Sequence, residues 1–154
     1  EIPLRLVGSE MCIRDRLGVP SFVFSREEFI AGVPILEKLA EYDVCLIVLA
    51  GFMNKISDVI LQAFPGKIVN IHPALLPKYG GKGMYGMHVH EAVVKAGERE
   101  SGITIHYINE HYDEGAIIFQ ASCPVLPSDT PEEVASNVHA LEYAHYPHVI
   151  ESLL

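Results

Sequence analysis

The chain has no tryptophan, only three cysteines and few basic residues. Cys12, Cys45 and Cys123 are scattered and odd in number, and no paired spacing suggests a zinc site or a disulfide framework. We therefore expect a reducing, cytoplasmic environment. Lysine and arginine number 11 against 20 acidic residues, for a formal net charge of -9. This balance argues against nonspecific binding to a nucleic-acid backbone through a basic surface.

Long hydrophobic runs are also missing, although 49% of the residues are hydrophobic. The strongest run, Val44 to Gly51, has the length of a strand, whereas a membrane span needs about 20 apolar residues. We expect no membrane partner. With 154 residues, the chain is long enough for one globular domain. Its sequence gives no indication of oligomeric state.

Residues 1–16 have the character of foreign sequence. The string LVGSEMCIRDR at residues 6–16 matches, residue for residue, one frame of a transposase-end adapter used to prepare sequencing libraries. The alternative is an ordinary charged loop, but so long a match rarely arises by chance. We therefore expect residues 1–16 not to be native and exclude them from fold reasoning, with 17–154 as a partial domain. The final HVIESLL also ends on an apolar helical pattern without a stop signal.

From Leu17 onwards, short apolar runs alternate with helical patterns. Ser25 and Glu28 form a Ser-x-x-Glu capping box, and Thr130 and Glu133 form a second box ahead of Pro131. The alternation predicts an α/β protein with a Rossmann-like open, mostly parallel sheet and helices on both faces. The predicted strands are Ser21–Phe24, Val44–Gly51 (buried on both faces), Lys67–Ile71, and an antiparallel pair at Gly102–Ile108 and Ala116–Cys123. The predicted helices are 25–42 (interrupted near Pro34), 57–63, His88–Ala96 and Pro131–His145.

The strongest chemical signal is the segment NIHPALLPKY, which begins at Asn70 where a buried strand ends. Alternation along a strand places Asn70 and His72 on the same side, and Pro73 and Pro77 stiffen the loop that follows. An amide and an imidazole that converge on one point can stabilise an oxyanion and transfer a proton. A hydrogen-bonded structural histidine at a strand end is the alternative, and the residues alone leave both interpretations open.

NIHPALLPKY resembles the signature of the folate-dependent formyltransferases, and most closely that of the branch that formylates phosphoribosylglycinamide. Three further segments share the resemblance: VLAGFM before the signature, SGITIHYINEHYDEGAIIFQ after it, and ALEYAHYP near the end. It covers nearly all of residues 17–154. The resemblance implies transfer of a formyl group from 10-formyltetrahydrofolate to the amine of 5-phosphoribosylglycinamide in purine biosynthesis, without a metal. It also implies Asn70, His72 and Asp113 as the catalytic residues.

The resemblance further implies two sets of binding residues. Glu142 corresponds to a residue that binds the ribose hydroxyls, although periodicity alone predicts an exposed helix glutamate. Asn54 stands where some relatives have an arginine. The implied substrate-binding residues are Gly51, Met53, Ile71, Pro73 and Glu142, and the implied folate-binding residues are Asn54, Lys55, Ile56, Asn109 and Tyr112.

Family members begin with a strand and a loop whose backbone amides bind the substrate phosphate at a helix N-terminus. Nothing between Glu1 and Leu17 resembles that region. We therefore expect this chain to lack its first strand or strands, to bind folate weakly and to transfer little formyl group.

Other interpretations compete with this one. A metal site could use His72, His88, His90, His106 and Asp113. However, no HExxH motif occurs, and helix positions i and i+2 point apart. His106 is equally compatible with a structural role, and residues 113–115 with a simple turn. Formyltetrahydrofolate hydrolase, methionyl-tRNA formyltransferase, a sugar-amine formyltransferase and a nonfunctional folate-binding fragment remain alternatives, although the tRNA enzyme usually carries a basic C-terminal domain.

Overall fold

The computed structural model describes residues 18–111 and 113–154. These residues fall into two compact units, one made of 18–44 and 56–63 and the other of 45–55 and 64–154. The predicted foreign segment 1–16, Leu17 and Tyr112 lie outside the described residues.

The first unit contains three short helices: α1 (Arg26–Ala31), α2 (Val33–Glu41) and α3 (Asp58–Ala63). The predicted capping box at α1 is confirmed, because the Ser25 hydroxyl accepts from the Glu28 N–H at 3.2 Å and the Ser25 N–H donates to the Glu28 carboxylate at 2.7 Å. The predicted interruption lies at Gly32, which has φ 75°. A Cβ there would lie 2.5 Å from the Ser57 hydroxyl, so glycine also provides the space. Pro34 occupies the first turn of α2, where it is tolerated.

The predicted strand Ser21–Phe24 is wrong. These residues are irregular, with Val23 74% exposed. The ring of Phe22 packs against Tyr42 at 5.4 Å between ring centroids. This segment packs against the C-terminal end of α2 instead of pairing with a neighbouring strand. The preceding Pro20 also has no N–H for a hydrogen bond between strands.

The second unit contains, among the described residues, a four-stranded sheet in the order β1 (Ile47–Leu49), β2 (Ile68–His72), β3 (Glu100–Tyr107) and β4 (Ile117–Pro124). The first pair is parallel, and β3 runs antiparallel to both of its neighbours. Three of these four strands therefore share one direction. The predicted antiparallel pairing of the last two strands is confirmed.

A β-bulge interrupts the pairing of β3 with β4. Ile105 pairs with Phe119 and His106 pairs with Ile117, so that Ile118 is the extra residue on β4. Both Ile118 and Phe119 pack against the hydrophobic core, although they are consecutive. Alternation along a regular strand would have placed them on opposite faces.

Burial distinguishes β1 from β2. All five residues of β2 are buried, whereas Val48 in β1 is 39% exposed. The prediction that the Val44–Gly51 strand is buried on both faces is therefore wrong. In the described part of the chain, β1 lies at the edge of the sheet and pairs only with β2.

Two helices complete the second unit, α4 (Met87–Lys95) and α5 (Pro131–Leu153). Thr130 caps α5 through the predicted box. The predicted end at His145 is wrong, because the helix continues through Pro147. The buried Tyr146 holds this region to the sheet by donating its hydroxyl to the Leu49 carbonyl at 2.7 Å, which offsets the backbone hydrogen bond that proline cannot make.

The core of this unit lies between α4, α5 and the sheet, and its most buried members are Ile71, Val93, Ile103, Ile105, Val134 and Val138. Among the helices of residues 18–111 and 113–154, none combines the length and apolar character needed to cross a membrane.

Candidate active site

Four buried polar side chains form a row where β2 meets β3. Asn70 and His72 alternate along β2, and the antiparallel register places His106 opposite Asn70 and Thr104 opposite His72. Their exposed fractions are 9%, 4%, 0% and 0% in the order Asn70, His72, Thr104 and His106. Because buried polar groups must be hydrogen-bonded to be stable, the contacts of this row define its chemistry.

His106 orients the amide of Asn70. The Nδ1 atom of His106 lies 2.9 Å from the Tyr107 carbonyl, which can only accept, so Nδ1 carries the proton. In the neutral ring, Nε2 therefore has a free lone pair and accepts from Asn70 Nδ2 at 3.3 Å. Burial lowers the pKa of His106 and favours this neutral form. An amide nitrogen carries two hydrogens, so the Asn70 side chain can donate a second hydrogen bond.

His72 is held between a carbonyl and a carboxylate. Its Nε2 atom lies 2.7 Å from the Tyr79 carbonyl, so Nε2 donates to that oxygen. Its Nδ1 atom faces Asp113 Oδ2 at 3.6 Å, which is longer than a hydrogen bond and becomes an ion pair when the ring is protonated. The exchangeable proton of His72 therefore belongs on Nδ1.

Asp113 lies between the two imidazoles. Its backbone has φ 56°, and its Oδ2 atom accepts from the Gly81 N–H at 2.8 Å. Its Oδ1 atom is 3.6 Å from His106 Nε2. The structure thus brings the three predicted catalytic residues, Asn70, His72 and Asp113, together around His106. Sequence analysis left His106 open because its position depends on the register between β2 and β3.

The signature loop after β2 is fixed by a side chain from each of the next two strands. The buried Thr104 hydroxyl accepts from the Leu76 N–H at 3.0 Å and donates to the Ala74 carbonyl at 2.7 Å. Gln120 donates to the Leu76 carbonyl at 3.0 Å and to the Thr104 hydroxyl at 2.9 Å. Neither Thr104 nor Gln120 was predicted from the sequence, because no local pattern indicates contacts across strands.

The predicted substrate-binding residues differ in exposure. Gly51 is exposed with φ 62°, and Met53 is 64% exposed. Pro73 is half-buried. The side chain of Ile71 belongs to the hydrophobic core, so a substrate contact would have to come from its backbone. Glu142 is half-buried on α5, not exposed as periodicity alone predicts, and burial raises the pKa of its carboxyl group.

The predicted folate-binding residues lie on two loops. Asn54 and Lys55 are exposed, whereas Ile56 is 6% exposed and belongs to the first compact unit. Asn109 is exposed, and its side-chain oxygen accepts at 2.9 Å from the backbone N–H two residues later. Tyr112 lies outside the described residues. The polar loop residues are therefore accessible, and the apolar Ile56 is not.

Within residues 18–111 and 113–154, no three histidine, cysteine or acidic side chains are grouped in a way that could hold a metal ion.

Comparisons with known proteins connect this geometry to a family. A profile of the family described as "Formyl transferase" matches residues 14–150. The chain is 42% identical over 141 residues to the chloroplastic phosphoribosylglycinamide formyltransferase of Arabidopsis thaliana, covering 88% of this chain and 48% of that protein. It is 40% identical over 140 residues to the phosphoribosylglycinamide formyltransferase of Bacillus subtilis, covering 88% of this chain and 69% of the relative.

The fold comparison agrees with the sequence comparison. The crystal structure of glycinamide ribonucleotide transformylase 1 from Geobacillus kaustophilus matches with a TM-score of 0.85 and 35% identity, over 97% of this chain and 79% of that one. The predicted Rossmann-like α/β class is thereby confirmed. The chain spans about half the length of the plant relatives that it matches. With most of its residues matched by sequence and by fold, the chain belongs to the formyl transferase family.

Proposed function

We propose that this protein transfers a formyl group from 10-formyltetrahydrofolate to the amine of 5-phosphoribosylglycinamide, a step of purine biosynthesis. The observation that carries this proposal is the Asp113 carboxylate between the imidazoles of His72 and His106, with the Asn70 amide bonded to the second ring. The names of relatives that share about 40% identity support the choice of substrates.

The residues fit a formyl donor, because transfer generates a negative oxygen and a surplus proton together. The donor supplies an electrophilic carbonyl carbon, and attack by the amine forms a carbon–nitrogen bond while the carbonyl electron pair moves to oxygen. The amide hydrogen of Asn70 that His106 leaves free can bind this oxygen. Such preorganised donors lower barriers because they need no reorganisation during the reaction.

The proton balance of the reaction requires a relay. The attacking nitrogen loses one proton, and the nitrogen of the tetrahydrofolate leaving group gains one when its bond to the formyl carbon breaks. His72 Nδ1 can carry this proton, because Nε2 is committed to the Tyr79 carbonyl. The facing Asp113 carboxylate stabilises the imidazolium and can accept a bond from a bridging water. The products are the formylated amine and tetrahydrofolate.

The remaining predicted residues contribute to binding in this proposal. Glu142 accepts bonds from ribose hydroxyls, with Gly51 and Met53 beside the glycinamide group. Asn54, Lys55 and Asn109 contact folate, largely through their backbones. We place the reaction in the cytoplasm on the basis of the few, scattered cysteines, although the plant relatives are named chloroplastic.

The test is an assay with both substrates and mass-spectrometric detection of the formylated product. It uses the 154-residue chain and, because we expect residues 1–16 not to be native, a chimera in which the N-terminal segment of the Bacillus subtilis relative replaces them. Product formation by the chimera, and its loss on Asp113→Asn, are the expected results.

Two outcomes would overturn the proposal. A folded chimera that binds both ligands and forms no product would contradict formyl transfer. Release of formate at the same rate with and without the amine would instead indicate a hydrolase.

A further inference from the structure

One short segment contacts both members of the His72–Asp113 pair. The Tyr79 carbonyl accepts from His72 Nε2 at 2.7 Å, and the Gly81 N–H donates to Asp113 Oδ2 at 2.8 Å. We call residues 78–81 the bracket. Its position determines which nitrogen of His72 carries the fixed proton and where the carboxylate lies.

The backbone of the bracket is in a conformation that needs external support. Tyr79 has φ 55°, in the left-handed region that is unfavourable for a residue with a Cβ. The Tyr79 hydroxyl donates to Glu98 Oε1 at 3.0 Å, and Lys78 Nζ donates to the two Glu98 oxygens at 3.0 and 3.1 Å. Glu98 follows α4 and precedes β3, so it ties the bracket to the sheet.

We propose that Glu98 is a positioning residue. By accepting from the Tyr79 hydroxyl, Glu98 holds the Tyr79 carbonyl against His72 Nε2. Only His72 Nδ1, which faces Asp113, is then available to exchange the catalytic proton. The predicted effect on kcat rests on the proposed function. The predicted effect on the His72 tautomer is independent of that function, because the tautomer is a property of the folded chain.

We expect the interactions of Lys78 and Tyr79 with Glu98 to differ in their effect on His72. Lys78 has a side chain 66% exposed to solvent, and exposed ion pairs contribute little to stability because water screens them. Tyr79 is half-buried, its hydroxyl donates to the Glu98 carboxylate at 3.0 Å, and its own backbone carbonyl is the acceptor for His72 Nε2. The hydrogen bonds from Lys78 and Tyr79 lower the pKa of the Glu98 carboxyl, so the acceptor stays charged at neutral pH. Tyr79 is therefore the link to His72, and Lys78 is dispensable.

A purely structural role for Glu98 makes a different prediction. Loss of a surface contact would lower the stability of the whole unit without changing which nitrogen of one buried ring is protonated. Positioning instead predicts a local change at His72 while His106 keeps its Nδ1–H tautomer, which is set by the Tyr107 carbonyl. His106 thus provides an internal control in the same spectrum.

Long-range ¹H–¹⁵N NMR of the histidine rings in the 154-residue chain tests the proposal, with His72→Gln assigning the His72 signals. At a pH where the ring is neutral, the parent chain should show the Nε2–H tautomer. Glu98→Ala and Tyr79→Phe should move His72 toward a mixture containing Nδ1–H. Glu98→Gln, which keeps an acceptor oxygen, should restore most of the Nε2–H signal, and Lys78→Met should leave it unchanged.

Kinetics in the chimera add a second readout. Glu98→Ala should lower kcat about tenfold, as small misplacements of catalytic groups do, with KM for both substrates unchanged. Circular dichroism establishes that each variant is folded, and Tyr79→Phe decides the question if Glu98→Ala fails to fold. An unchanged His72 tautomer in folded Tyr79→Phe would overturn the proposal. Absence of formyl transfer in every variant would count against the proposed function alone, since the tautomer is measured independently.

Discussion

The predicted functional residues at the end of β2 are buried, whereas those on the loop after β1 are exposed. Asn70 and His72 are buried, and hydrogen bonds fix the ring of His72 and the amide of Asn70. Gly51, Met53 and Asn54 lie on the surface of a loop. We infer from this comparison that Asn70 and His72, to which we assign charge handling, are fixed at the end of a buried strand, whereas Gly51, Met53 and Asn54, to which we assign binding, lie where ligands can reach them.

The largest expected effect is on turnover at the buried end. Asp113→Asn should lower kcat about 100-fold or more while KM changes less than about threefold, because the lost charge matters most in the transition state. The amide oxygen can still accept from the Gly81 N–H, so the fold should persist. Steady-state kinetics of the chimera provide the measurement, with Glu114→Gln as the exposed neighbouring control. Near full turnover in Asp113→Asn would remove the distinction between the two regions.

A smaller effect is expected on the anchoring of the signature loop. Thr104→Val should lower the free energy of unfolding by roughly 1–3 kcal/mol, because the Leu76 N–H and the Gln120 amide lose a buried acceptor. Thr104→Ser keeps the hydroxyl and should cost less. Urea denaturation measures both variants, and equal stability of the valine and serine variants would show that the loop is not anchored in this way.

Acid should also weaken the buried region. Burial lowers the pKa values of His90 and His106, and positive charge on His139 and His72 lowers that of His90 further. At His106, the hydrogen bond to the Tyr107 carbonyl and the charge of Asp113 partly oppose the effect of burial. Below about pH 6.5 the unfolded state therefore binds more protons than the folded state, and stability falls until the folded pKa values are passed.

Each of these two groups contributes a slope of at most about 1.4 kcal/mol per pH unit within that window. Urea denaturation at a series of pH values from about 7.5 to about 5, a range that includes the histidine reference pKa, measures this slope. His90→Gln should flatten the curve. A stability that rises on acidification would contradict burial of neutral rings.

Loop substitutions should have the smallest effects. Asn54→Ala should change the free energy of unfolding by less than about 0.5 kcal/mol, as exposed positions usually do. Its effect on catalysis should be confined to the KM for folate, with kcat unchanged, because binding contacts act on ground and transition states alike. Lys82→Ala, at another exposed position, is the control. A fall in kcat at Asn54 would show that the loop participates in the chemistry.

Features encoded within a few residues were predictable from the sequence. The capping boxes at Ser25 and Thr130 depend on residues three apart, and β2 ends at His72, within the first three residues of the NIHPALLPKY motif. The predicted strand Ser21–Phe24 failed because strand formation requires a partner elsewhere in the chain. The helix end at His145 was missed because the tertiary contact of Tyr146 overrides the local effect of proline.

The composition of the candidate site was only partly predictable, for a related reason. Asn70 and His72 share a strand, so alternation predicts that they share a side. Thr104 and Gln120 lie on other strands, and only the register between strands brings them to the signature loop. Register depends on packing across the sheet, which no local pattern contains.

The bulge at Ile118 has a consequence for insertions and deletions in this part of the chain. Deleting that residue would let β3 and β4 pair without interruption, and would draw the connecting loop along by one position, about 3.4 Å. Asp113 lies in that loop, and a displacement of its carboxylate by that distance would break the 2.8 Å bond from the Gly81 N–H. We therefore expect deletion of Ile118 to displace the Asp113 carboxylate from His72, and length changes between Tyr107 and Phe119 to lower activity as substitution of Asp113 does.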